Sequence, residues 1–499
     1  MKLKTNILSV CLCWLGLPSI HAEELSIINP SFEQGSKVQV VYGSENIPGW
    51  EGDAKKAVGV EQNPFHSPVH GSRYLFHEGG GEAMVQLTKH KLRKGRTYTL
   101  TLWARSINPL GVKSATEITA RLMARDKVLA ESVMQVDAPS LKGAPVGKGN
   151  DDGANVWIDG DYRHQFADVH MIQAFDKDPI EDEWEILEDS GYDAINRLGW
   201  AVGNIIVGEN KYIYGTIYRD SRGEFYSSIT MTKVLEDHLP DYRWSEPVIL
   251  MNHSPTEFPW VEDPHLFYDE EANRLWMSWG GGVCYVSELD PATGLFLNNP
   301  ADPEFDTHPE GMHHAVAKWP ETDDGWCGDE WSRCWMEGAA LYKHGEYWYY
   351  LGSYGHLGRD YTIRYGRGTS PTGPFYDKHG VDLMTFDQDR NAYGNTILLG
   401  AEGEQMVPGH PHIWEEEGKF YMGYDYRKPG SGKDLMGIRR LYWVDDWPTI
   451  WFPVEVSFNV DDHPEAIGEK LTISFQNSGR GDSRLAVDHV QLMQSRESR

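Results

Sequence analysis

Along most of the chain, apolar and polar residues alternate with a period of two, in short runs punctuated by Gly, Pro, Asn and Asp. Thr97–Arg105 (TYTLTLWAR) and Glu117–Met123 (EITARLM) show the pattern. Period two places successive side chains on opposite faces of a strand, whereas a helix needs apolar positions three and four apart. Long stretches of that second kind are few, so the pattern predicts an all-β protein. From residue 150 onward one unit recurs: a strand, a tight turn holding Gly or Asn, then an aromatic strand. It is found at 156–162, 205–212, 266–276, 341–347 and 413–420. Spacings of roughly 50 to 75 residues suit propeller blades of four strands with loops of varied length. Five units predict a five-bladed β-propeller over 150–451.

Residues 23–140 carry sandwich-like strands, and 141–150 read as a linker. At the far end Val454–Phe458 (VEVSF), Leu471–Phe475 (LTISF) and Leu485–Leu492 (LAVDHVQL), within 452–499, look like the closing strands of the same sandwich. Two arrangements are open: a propeller inserted in one discontinuous β-sandwich, or a propeller joined to separate small β domains. Insertion is physically reasonable where chain ends lie close together at a surface.

Composition narrows the partners. The formal net charge of -29 repels polyanions at long range, which argues against nucleic acid or an anionic membrane as a partner. Residues 1–22 combine Lys2 and Lys4 with an apolar run over 7–17 and a small-residue site at Ala22, the pattern of a secretory signal peptide. No later run is long and apolar enough to span a bilayer, so the expected location is secreted or periplasmic, without a transmembrane segment. Export makes a Cys327–Cys334 disulfide an open alternative to free thiols, with Cys284 as a buried thiol; the spacing does not resemble a zinc site.

In a propeller the inner strands begin near the axis, so the residue just before each repeat faces one funnel. Those positions hold Asp152, Asn204, Asp263, Glu337 and His410. Three carboxyls in one funnel suit acetal chemistry. One acid protonates the leaving oxygen, and a base activates water on the opposite face across a gap of roughly 6.5–9.5 Å in inverting enzymes. Glu337 stands beside Gly338, Ala339 and Ala340 ahead of the aromatic strand 347–351, a placement that suits a general acid; the bland alternative is a solvated glutamate before a hairpin. Trp157, Trp260, Trp279 and Trp335 can stack on sugar rings or pack blade cores, and Trp279 is assigned to substrate binding with Asn204 and His410. His308, His313 and His314 crowd the loop after the third repeat and read as pocket-shaping residues.

The 23–140 segment resembles jelly-roll carbohydrate-binding modules, on Asn29–Glu33 (NPSFE), Ile47–Trp50 (IPGW) and Lys94–Leu100 (KGRTYTL). The insert resembles glycoside hydrolase family 43, most closely its arabinanase-like members. That resemblance rests on Glu262–Pro264 (EDP), Arg274–Gly280 (RLWMSWG), Met336–Gly338 (MEG), Tyr361–Arg367 (YTIRYGR), Ser370–Phe375 (SPTGPF) and Gly409–His410. It implies a glycoside hydrolase cleaving arabinose-, xylose- or related-sugar polysaccharides or oligosaccharides with inversion. In that reading Glu337 is the acid, Asp263 tunes it and orients substrate, and Asp152 is the base. Two departures bear on this: Asp151-Asp152-Gly153 stands where the family has Asp-Pro, leaving Asp151 as an alternative base, and Trp200–Asn204 (WAVGN) differs in the second blade. His410 resembles an axial histidine beside a calcium or other ion, with a satisfied core histidine as the other reading. A non-catalytic carbohydrate-binding propeller, or a related propeller hydrolase acting on a marine anhydro-sugar, are the alternative functions.

Overall fold

The structure is a computed structural model, and it describes residues 22–34, 40–42, 47–52, 58–61, 67–141, 153–158, 161–166, 170–174, 180, 184–187, 200–221, 224–236, 243–252, 260–297, 312–319, 336–355, 360–387, 392–431 and 434–496. Among these residues five antiparallel sheets follow one another along the chain, and each begins with its innermost strand. The inner strands are Gly153–Ile158, Trp200–Val207, His265–Asp269, Met336–His344 and Met406–Glu416. Each packs beside the next, and the fifth returns to the first, so the sheets form a closed five-bladed propeller. The sequence pattern explains the blades. In blade three Leu275, Met277 and Trp279 point into the interface with blade two, while Trp276 points with Cys284 and Val286 into the interface with blade four. A blade strand is therefore buried on both faces, and its tryptophans are packing residues first.

The ring is closed by packing: each of the five sheets is built from consecutive segments of chain, with none exchanged between blades one and five among the described residues. A two-sheet sandwich stands where the chain enters and leaves the propeller. Its larger sheet runs Val40–Tyr42, Val58–Glu61, Tyr74–Glu78, Arg484–Arg496, Arg96–Ser106, Phe452–Asn459, with Glu23–Glu24 also on Arg484–Arg496. The smaller runs Met84–Lys91, Lys470–Asn477, Glu117–Ala124, Lys127–Gln135. C-terminal strands thus lie between N-terminal ones in both sheets: Val487 pairs with Leu75 and Ala104, and Ile473 with Gln86 and Leu122. The alternating Tyr98, Leu100, Leu102 and Ala104 supply one wall of the shared core.

Sandwich and propeller meet across a buried polar seam. Arg105 of the sandwich pairs with Glu402, which also accepts from Arg439 of blade five at 2.6 Å, and all three side chains are nearly inaccessible. Arg439 further donates to Tyr424 and Gln405, both at 2.8 Å. Nearby, Tyr74 meets Trp451 and Trp103 meets Tyr442, each edge to face at 5.7 Å. Asp488 lies fully buried in the sandwich, accepting the backbone N–H groups of His70 and His489. Burial pushes its carboxyl up to about 8 in spite of those donors. No helix among the described residues is long and apolar enough to cross a membrane.

Two outcomes are expected. Glu402→Ala leaves two buried guanidiniums without their shared carboxylate and should destabilise the protein by about 3–5 kcal/mol in chemical denaturation, whereas Glu465→Ala, which breaks an exposed pair with Lys127, should leave the midpoint nearly unchanged. Asp488 keeps its proton in the folded state up to about pH 8, while the unfolded chain releases it near 3.8. Its contribution is therefore complete below that lower value and is lost as pH rises toward 8. Asp488→Asn should flatten that part of the stability–pH curve, measured by denaturation between about pH 4 and pH 8.

Candidate active site

Asp263 stands two residues before the inner strand of blade three, with a left-handed φ of 54°, and is 6% exposed. Its backbone N–H donates to Thr216 Oγ1 of blade two at 2.9 Å. Its Oδ2 accepts the Gly338 N–H of blade four at 2.9 Å and lies 3.1 Å from His410 Nε2 of blade five. One carboxylate oxygen therefore joins three blades. Glu337 is the second residue of blade four's inner strand, and its carboxyl, with those of Glu262 and Asp263, brings three oxygens within 4.8 Å of one another. Tyr361 donates its phenol proton to Glu337 Oε1 at 2.5 Å.

The local backbone aims these groups. The register between the inner strand of blade four and its neighbour shifts between Glu337 and Ala340, and that of blade five shifts on both sides of Gly409. Such bulges turn a strand and redirect side chains. Gly338 adopts φ 61°, and a Cβ there would stand 2.6 Å from His410 Cδ2 and 2.8 Å from Ser353 Oγ, so only glycine permits the close approach of blades four and five. Ser353 Oγ in turn accepts the His410 N–H at 2.8 Å. Behind the carboxyls the Cys284 thiol donates to Gly280 O, and burial pushes its pKa up, which keeps it an unreactive thiol.

Asp263, Glu337 and His410 come together at the head of their blades. Asn204 lies on blade two's inner strand, its backbone paired with Ile213. Asp151, Asp152, Trp335, Cys327 and Cys334 lie outside the described residues. Trp279 requires a correction: it is 0% exposed, stacked on Tyr285 at 4.7 Å, and donates its indole N–H to Ser287 at 2.9 Å. It fills the blade core, and no face of it is open to a sugar. His313 likewise packs edge-on against Trp279 and contacts Ser287 Oγ at 2.6 Å. Tyr361, Ser353 and Thr216 were not anticipated; Tyr361 opens the YTIRYGR stretch, but a tyrosine at a strand start carries no mark of its direction.

Calcium takes six to eight oxygen ligands. His410 offers nitrogen and turns its Nε2 to Asp263 Oδ2, so it supplies no oxygen ligand to a calcium. Among the described residues, the three-carboxylate cluster Glu262, Asp263 and Glu337 is the one grouping with metal-ligand proximity, and it does not include His410.

A family model described as glycosyl hydrolases family 43 matches residues 179–448, and one described as HpiC1 cyclase matches residues 23–144. The chain is 25% identical over 253 residues to the extracellular exo-alpha-(1->5)-L-arabinofuranosidase ArbA of Cellvibrio japonicus, covering 48% of this chain and 66% of that protein. It is 32% identical over 137 residues to arabinan endo-1,5-alpha-L-arabinosidase B of Emericella nidulans, covering 24% and 32% respectively. The matches therefore span from about a third to just under two thirds of these relatives. A solved structure of Cellvibrio cellulosa alpha-L-arabinanase complexed with arabinohexaose aligns with 64% of this chain and 99% of that one, at 20% identity and a TM-score of 0.46.

Gly338→Ala should strain the left-handed backbone by about 1–3 kcal/mol and push His410 off Asp263. Thermal denaturation would report the first effect, and the His410 ring resonances in NMR spectra the second; unchanged resonances would contradict the close packing.

Proposed function

Because this chain belongs to glycosyl hydrolase family 43, we propose that it is an exported enzyme that hydrolyses α-1,5-linked L-arabinofuranosyl chains with inversion at the anomeric carbon. The observation that carries the proposal is the pairing of Glu337 with Asp263, in which the Gly338 N–H next to the acid is bound by the neighbouring carboxylate at 2.9 Å. Glu337 is then the general acid: it delivers its proton to the glycosidic oxygen as the bond from the anomeric carbon breaks. Asp263 holds the peptide beside Glu337 in place and presents its other oxygen to the substrate. His410, whose Nε2 contacts the same Asp263 oxygen, fixes the orientation of that carboxylate.

Asp152, or Asp151 beside it, takes the proton of the attacking water on the far face of the sugar. The arabinose assignment follows the names of the relatives, one exo-acting and one endo-acting, so both product patterns are to be examined. Export is favoured by the signal-like residues 1–22 and by the extracellular relative. The sandwich is given a bracing role, through the Arg105–Glu402–Arg439 seam. On the outer face of its smaller sheet the partly exposed Arg121, Met123, Glu131, Val133 and Gln476 offer no aromatic platform for a sugar.

On linear arabinan, Glu337→Gln and Asp152→Asn should each lower kcat by about 10²–10⁴-fold, and Asp151→Asn should do so only if it, rather than Asp152, is the base. NMR of the first-formed product should show the inverted anomer. Retention of configuration would exclude the base assignment, and tight binding of arabino-oligosaccharides without release of reducing ends would identify a binding propeller instead.

A further inference from the structure

Tyr361 is 1% exposed, yet its hydroxyl is spent on one oxygen of Glu337. The ring is held against the backbone of blade five: a Cβ on Gly409 would lie 2.1 Å from Tyr361 Cε1, so the two are in direct packing contact. The His410 ring stands 6.5 Å away, tilted at 62°. A phenol fixed in this way cannot swing off the carboxyl without disturbing the strand that carries His410. Its O–H···O contact to Glu337 Oε1, at 2.5 Å, puts a donor directly on the oxygen pair where negative charge would appear if Glu337 lost its proton.

We propose that Tyr361 is a positioning residue for the proton-donation step: it donates to Glu337 Oε1, fixes the orientation of that carboxyl, and stabilises the carboxylate that remains when the catalytic proton has left. The inference rests on Glu337 being the general acid. In the step itself the bond between the anomeric carbon and the glycosidic oxygen breaks with its electron pair going to oxygen. The Glu337 proton goes to that same oxygen, and water supplies OH to the anomeric carbon and a proton to the base. Negative charge appears on Glu337 as this happens, and Tyr361 is the donor already in contact with it. A phenol that merely filled space would not be sensitive to how much negative charge Glu337 develops.

The test uses the full-length protein and the Tyr361→Phe variant, which keeps the packing ring and removes only the hydroxyl. On arabino-oligosaccharides, whose alkoxide leaving groups need protonation, kcat should fall about ten- to hundred-fold with KM little changed, the range expected for a hydrogen bond to a charged group. On an aryl arabino-oligosaccharide with a 4-nitrophenolate leaving group the same variant should retain kcat within about three-fold, because that group departs without an acid. The basic limb of the pH–rate profile should move up by about one to two pH units, since the carboxylate has lost its donor.

Equal losses on both substrates, or an unmoved basic limb, would overturn the proposal. A direct reading comes from the infrared titration of the Glu337 carboxyl with isotope-labelled glutamate, using Glu337→Gln to identify the band. The titration should move to higher pH in Tyr361→Phe, and an identical titration in both proteins overturns the inference. That measurement needs no turnover. Failure of the wild type to cleave any arabinoside would count against the substrate assignment, while the titration would still decide the role of Tyr361.

Discussion

The active end of this propeller depends on Asp263 Oδ2. It receives a backbone N–H from blade four and an imidazole nitrogen from blade five, while the Asp263 backbone is anchored to blade two. Four of the five blades are thereby held at one point near the axis. A propeller's blades otherwise touch through apolar faces, whose attraction is non-directional and tolerates small shifts more readily than a hydrogen bond does. Hydrogen bonds to a buried carboxylate resist such shifts, because a displaced partner leaves a charged oxygen unsatisfied. The same contact that makes the inner ring rigid therefore also sets where Glu337 stands.

Rigidity at the axis is useful only if the ring stays shut. Blades one and five exchange no strand among the described residues, so closure falls to packing and to the sandwich, in which strands from the two ends of the chain alternate. Phe452–Asn459 leaves blade five and pairs directly with Arg96–Ser106, which precedes the propeller in sequence. The sheet thus ties the segment leaving blade five to a strand that precedes the propeller in sequence. Glu402 makes the link specific, because its carboxylate is shared between an arginine of each domain. A buried triad of this kind is not in itself a large source of stability, but a shift that removes one partner is costly. It thus penalises any change of angle between sandwich and propeller.

Much of this architecture was legible in the chain because it follows from periodicity. Strand, tight turn and aromatic strand repeat where Leu341–Tyr347 and Ile413–Phe420 bend back on themselves, and left-handed Glu417 and Gly418 at the second turn are what such a hairpin demands. The heads of blades three, four and five were legible for the same reason: Asp263, Glu337 and His410 each stand near the start of an inner strand. Direction was not legible. Trp279 has the composition of a sugar platform, yet its place in line with Leu275 and Met277 puts it on a face buried by blade two. Period two distinguishes the faces of a strand, but in a propeller both are buried, and the apolar signal no longer tells inside from site. Tyr361 escaped for the converse reason: its reach to Glu337 depends on contact between blades, which no local pattern encodes.

The backbone shows why the heads of the blades are special. Asp263, Gly338, Val407 and His410 all have positive φ, and register shifts occur at the heads of blades two, four and five. A regular strand would send alternate side chains into the two neighbouring blade interfaces and none along the axis. Breaking the ladder at its first residues turns a side chain out of that alternation and into the funnel. Left-handed backbone is unfavourable for Asp, Val and His, and it persists where surrounding contacts over-determine it. Here those contacts are the hydrogen bonds that the Asp263 N–H gives to Thr216, that the His410 N–H gives to Ser353 and that the Asp263 carboxylate accepts from Gly338, so the groups that aim the carboxyls are also those that hold the strained backbone of Asp263 and His410 in place. Loss of any one of them would relax the backbone toward regular strand and carry a site residue back into the interface between blades.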